Sequence, residues 1–90
     1  MSFEGIIMYK NRAKDGANNI SGRRIQAYRK RLPGSISQNK FAAMLQVRGL
    51  DIDKNAVQRI ECGKRFVTDI ELKVIAETLG VTCDALLTEN

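Results

Sequence analysis

Lys54, Asn55, Gln58 and Arg59 fall within six consecutive residues. On a helix this spacing gathers them along one side, because residues three and four apart are neighbours there. Val57, between them, and Ile60, just after them, then fall on the opposite side. The four polar types have a defined chemistry. An Asn or Gln amide can form two hydrogen bonds with the edge of adenine, and Arg or Lys can do the same with guanine. The plainer use of such a stripe is a solvated helix face. The stripe alone does not separate the two uses, so the elements that would position it matter.

A helix carrying the stripe needs a start and a stop. Asp53 is a candidate N-cap, with Val57 and Ile60 apolar four and seven residues on, and Gly63 follows as a breaker. A second helix precedes it. Ser37 is its N-cap candidate, and Phe41, Ala42 and Leu45 form its apolar stripe. Gln38 and Asn39 stand at the N-terminus of that helix, where free N–H groups and the helix dipole favour a phosphate. The pair of helices spans about residues 38–62, with a turn from Val47 to Asp53. In such a pair the second helix can enter a DNA major groove while the first crosses the backbone.

Three further helices are expected. The first runs from about Ile20 to Arg31, with Ile25, Tyr28 and Leu32 on one face, and Pro33-Gly34 stops it. Tyr28 and Phe41 share faces with aliphatic residues and are expected in the core. A fourth spans about Thr68 to Leu79. Thr68 and Glu71 have the spacing of a capping box, and Leu72, Ile75, Ala76 and Leu79 give an amphipathic face. A short fifth helix, about Cys83 to Thr88, is expected to pack Leu86 and Leu87. Met1 to Asn19 lacks clear periodicity and reads as an N-terminal arm. Ile6 to Tyr9 suits a short strand or a docked segment, and Lys10 to Asn19 a loop. The expected architecture is all-α: five helices in one domain over residues 20–88, preceded by an arm at 1–19.

Charge is unevenly distributed in the 90-residue chain. Residues 1–31 hold eight basic and two acidic side chains, a net +6, and residues 32–66 carry +3. Residues 67–90 carry −4. The basic part coincides with the helix pair, as expected of a surface that attracts phosphates. Other classes are disfavoured. No apolar run is long enough to span a membrane, and no secretory leader is evident, so a cytoplasmic location is expected. The chain has no histidine, and Cys62 and Cys83 lack ligand spacing, so neither a metal nor another cofactor is expected. Both cysteines are expected to be free thiols. Without histidine, a glycine-rich phosphate loop or a metal cluster, an enzyme with catalytic residues is not expected.

An ordered set of motifs sharpens this reading. Ile25…Arg29, Ser37-Gln38, Phe41-Ala42, Ile60-Glu61-Cys62-Gly63-Lys64-Arg65, Ile75-Ala76-Glu77-Thr78-Leu79-Gly80-Val81 and Leu86-Leu87 follow one another at compatible spacings. Together they resemble the phage-repressor (XRE, Cro-type) helix-turn-helix family over about residues 20–88. The resemblance implies a five-helix, phage-repressor-like DNA-binding domain. It assigns Gln38 to the DNA backbone, Lys54, Asn55, Gln58 and Arg59 to base edges, and Lys64 and Arg65 to phosphates. It also pairs Arg29 with Glu61 in a partly buried salt bridge. Two departures stand out: Arg29 lies two residues further from Ser37-Gln38 than usual, which makes Arg31 a rival partner for Glu61, and the turn between the helices is longer than the commonest version.

The function implied is a sequence-specific transcriptional regulator, expected to be a repressor. It would read double-stranded DNA with its third helix and pair as a homodimer at least on DNA. The alternative on the same fold is an antitoxin or protein-interaction module. It would draw on Ile6 to Tyr9, which suit a partner surface and the chain's own domain equally well.

Overall fold

The computed structural model describes residues 16–88. The strand or docked segment expected at Ile6 to Tyr9 lies outside them, as does most of the expected arm. Five helices follow in order: α1 (Gly22–Arg31), α2 (Gln38–Val47), α3 (Lys54–Glu61), α4 (Asp69–Leu79) and α5 (Cys83–Leu87). No strand occurs among the described residues. No helix among them is long and apolar enough to cross a membrane.

The helix starts follow local hydrogen bonding. Ser37 accepts from the Lys40 N–H, Asp53 from Ala56 and Thr82 from Ala85. Thr68 and Glu71 form a reciprocal capping box. Each such cap satisfies a donor that the helix itself leaves unpaired, typically worth about 1 kcal/mol.

The core draws on every helix. Ile25 of α1, Phe41, Ala42 and Leu45 of α2, and Ala56, Val57 and Ile60 of α3 meet Ile75, Ala76 and Leu79 of α4 and Leu86 of α5. Tyr28, Leu32 and Leu72 pack on its margin, half-buried. The expectation for α5 needs correction. Leu86 is fully buried, but Leu87 points outward, 41 % exposed. A five-residue helix has little stability of its own, so burial of Leu86, worth about 2–3 kcal/mol, is what fastens it to the domain.

The long turn between α2 and α3 is held at both ends. The N–H groups of Arg48 and Leu50 return to the Leu45 carbonyl, and Gly49 takes a φ of 90° that lets the chain leave the helix axis. The Gln46 side chain donates to the Ile52 carbonyl at 2.9 Å, and the Ile52 side chain is buried in the core. The turn is therefore an ordered element, which sets how α3 sits against α2.

Candidate nucleic-acid interface

α3 divides cleanly into two faces. Ala56, Val57, Ile60 and Glu61 are buried, while Lys54, Asn55, Gln58 and Arg59 are exposed. None of these four exposed side chains has a hydrogen-bond or ion-pair partner among the described residues. The structure thus brings the four polar residues onto one free surface, on a helix whose other face is locked in the core. Asn39, at the start of α2, and Lys64, just past α3, are also exposed and without side-chain partners among the described residues.

Glu61 closes the inner face of α3. Arg29 donates to it through two nitrogens: Nε to Oε2 at 2.6 Å and Nη2 to Oε1 at 2.9 Å. Both side chains are nearly inaccessible. The remaining Arg29 Nη1 donates to the Ile36 carbonyl at 2.6 Å, which ties down the segment leading into α2. A planar guanidinium facing a carboxylate in this two-pronged way is both strong and directional. Arg31, the rival partner, instead lies over the Tyr28 ring, 5.4 Å from its centroid, on the exposed side of α1.

Gln38 joins the same cluster. Its amide nitrogen donates to Glu61 Oε1 at 2.9 Å. This fixes the side chain at the N-terminus of α2 and leaves its amide oxygen without a partner among the described residues. One carboxylate thereby holds α1, the start of α2 and the end of α3 in fixed relation.

Arg65, expected at a phosphate, is bonded within the domain and partly exposed. Its guanidinium donates to both carboxylate oxygens of Glu71, each at 3.0 Å, and to the Phe66 carbonyl at 3.1 Å. Hydrogen bonding from Arg65 holds the Glu71 carboxyl below its ordinary pKa. Burial works against that shift, and the bond from Thr68 adds to it. The same contact raises the Arg65 pKa further. Glu71 thus serves both the α4 cap and Arg65. Of the two basic residues after α3, Lys64 alone is free toward solvent.

The sequence reading missed how α1 begins. Asn19, not a residue adjoining the helix, supplies the cap: its Oδ1 accepts from the Gly22 N–H at 2.8 Å. Its Nδ2 donates to the carbonyls of Ile60 and Arg65 at 3.0 and 2.7 Å. Asn18 adds a backbone bond to Gly63 and a side-chain bond to Lys64, 2.8 and 2.9 Å. Residues expected to end a loose arm are therefore bonded to the end of α3. An Asn three residues ahead of Gly22 was the visible signal for the cap. The contacts across more than 40 residues had no local signal. Gly22 completes the junction, with a Cβ at that position blocked by the Ile60 carbonyl oxygen.

No family model matches the sequence, and no curated protein sequence does. Solved structures do match. The P22 c2 repressor protein, in complex with a synthetic operator, superposes with a TM-score of 0.65 at 24 % identity, covering 80 % of this chain and 98 % of that one. The chain has the phage-repressor fold. The restriction-modification controller protein C.AhdI from Aeromonas hydrophila shares it, with a TM-score of 0.61 and 23 % identity over 72 % of this chain and 84 % of that one. A hypothetical transcription factor, NHTF from Neisseria, gives a TM-score of 0.67 at 17 % identity, covering 84 % and 79 %. At these identities the likeness is one of fold: an all-α helix-turn-helix domain.

Proposed function

We propose that this protein is a sequence-specific DNA-binding transcriptional regulator acting as a repressor, with α3 reading the major groove. One observation carries the reading. Lys54, Asn55, Gln58 and Arg59 are exposed and unpaired among the described residues, on a helix held rigidly by Glu61 and the core. A solvated face would serve as well with any polar residues. These are the types that recognise adenine and guanine edges, and they stand on the second helix of the pair. The fold shared with a repressor bound to an operator supports the same reading.

The flanking contacts belong to this proposal. Gln38, pre-set by Glu61, and Asn39 approach one backbone strand from the N-terminus of α2. Lys64 approaches phosphates past the end of α3. Arg65 acts through its bond to Glu71, which fixes the segment that carries Lys64. An eight-residue helix spans only a few base pairs, so two copies pairing on a two-fold operator in the cytoplasm complete the picture.

Duplex binding measured by fluorescence anisotropy across a salt series tests this. The affinity of the wild type should fall steeply with salt. Lys64→Ala should weaken binding to all sequences alike and flatten the log–log slope by about one unit. Binding indifferent to salt, or no duplex binding at all, would sink the reading.

A further inference from the structure

The segment that follows α3 is bonded on both sides of its backbone. Its N–H groups return to the helix: Gly63 to the Ile60 carbonyl, and Lys64 and Arg65 to that of Arg59, at 3.1, 2.8 and 3.3 Å. Gly63 takes a φ of 82°, the left-handed turn that commonly closes a helix in this way. The carbonyls of the segment need donors of their own. Two asparagines ahead of α1 supply them. Asn18 donates its backbone N–H to the Gly63 carbonyl at 2.8 Å and its Nδ2 to the Lys64 carbonyl at 2.9 Å. Asn19 Nδ2 donates to the carbonyls of Ile60 and Arg65 at 3.0 and 2.7 Å. Residues 63, 64 and 65 thus each have their carbonyl bonded from residue 18 or 19.

Capping α1 does not require this arrangement. The cap uses only Asn19 Oδ1, which accepts from the Gly22 N–H. The remaining donations converge on the backbone around Lys64, whose side chain is exposed and without a partner among the described residues. Holding a phosphate requires ordering a lysine side chain and any loose backbone beneath it. With the backbone already fixed, only the side chain has to be ordered.

We infer that Asn18 and Asn19 are positioning residues for DNA binding, which act through the backbone of residues 63–65 to pre-set the phosphate contact of Lys64; this rests on the reading of Lys64 as a phosphate contact beside α3. Neither asparagine needs to touch DNA. The effect of each therefore passes through Lys64 and vanishes when the Lys64 ammonium is removed. A merely structural role would change stability and leave the contribution of Lys64 as it was.

The test is a pair of double-variant cycles in the full chain: N18A, N19S and K64A singly, then N18A/K64A and N19S/K64A. Asn18→Ala removes an exposed side-chain bond and keeps the backbone bond to Gly63. Asn19→Ser keeps an oxygen that can cap α1 and removes the amide donor, and neither change alters net charge. Thermal melting sets an assay temperature at which every protein is folded. Two variants in separate contacts leave one to report if the other melts too low. Affinity for a duplex bearing the wild-type selected motif is read by fluorescence anisotropy across a salt series. N18A and N19S should each bind about two- to tenfold more weakly, the range open to a lost hydrogen bond. Their salt slopes should move toward that of K64A, a change of at most about one unit. In the K64A background neither substitution should weaken binding further. Additive losses in both cycles, or wild-type affinity in the folded single variants, would overturn the positioning role and leave α3 as the reader. A K64A protein that binds like wild type would overturn it too, together with the phosphate contact of Lys64. A wild type that binds no duplex would remove the reading of α3 as well.

Discussion

Glu61→Ala is expected to cost about 3–5 kcal/mol of folding stability, because it strands the Arg29 guanidinium in a nearly inaccessible site. Arg29→Ala should cost a similar amount, leaving Glu61 with Gln38 as its one side-chain partner among the described residues. Small domains are stable by only about 5–15 kcal/mol, so either change removes a large share. The double variant should lose less than the sum of the singles, since no charge is then left unpaired, with a coupling energy in the range of about 0.5–3 kcal/mol. Denaturant melts of the four proteins measure this. Strictly additive losses would mean that the pair is not the clamp its geometry indicates.

Gly22→Ala is expected to destabilise the fold, against what helix propensity alone says. In an open helix the change would stabilise by about 0.5–1 kcal/mol. Here the new methyl would collide with the Ile60 carbonyl oxygen and stand 2.9 Å from Asn19 Oδ1 and 3.1 Å from the Glu61 carbonyl. Relief requires α1 to lift from α3, which breaks the Asn19 bonds. Overpacking of this kind costs about 1–3 kcal/mol. A fall in Tm on the order of 10 °C follows, at about 4–8 °C per kcal/mol for a domain of this size. A raised Tm would contradict the close approach of the two helices.

Those two sites mark where sequence reading succeeded and where it stopped. Ser37, Asp53 and the Thr68–Glu71 box were legible because a cap is a bond between residues three apart. The core faces of α2, α3 and α4 were legible because burial on a helix follows its period. The Arg29–Glu61 pair came from the resemblance, with Arg31 as a rival, and only the packed geometry decides between them: one guanidinium points inward and the other lies over Tyr28. Ile52 sits in a turn, where no period announces burial, and only the bond from Gln46 and the packing of α2 on α3 draw it inside. Leu87 reads like Leu86, yet a five-residue helix buries only one narrow face. The resemblance gives Arg65 to a phosphate beside Lys64, and its bond to Glu71 has no sign in the sequence. Its Glu71 partner lies six residues on, across a helix start, where no repeating pattern places the two side chains together. The free stripe on α3 was fully visible in the sequence. Its rigid setting, through Asn18, Asn19 and Gly22, was not.

The reading role of α3 is the central claim, and selection from a random duplex library tests it most directly. Wild type, Asn55→Ala and Gln58→Ala would each be taken through the same rounds. Both residues are exposed on α3, so folding and nonspecific affinity should stay close to wild type. A two-bond contact with a base is worth about 1–3 kcal/mol of discrimination. The wild type should therefore enrich a defined motif, and each variant should lose preference at its own positions while keeping the rest. If all three proteins enrich the same motif equally well, α3 does not read the bases, and the account given for Lys54, Asn55, Gln58 and Arg59 is wrong.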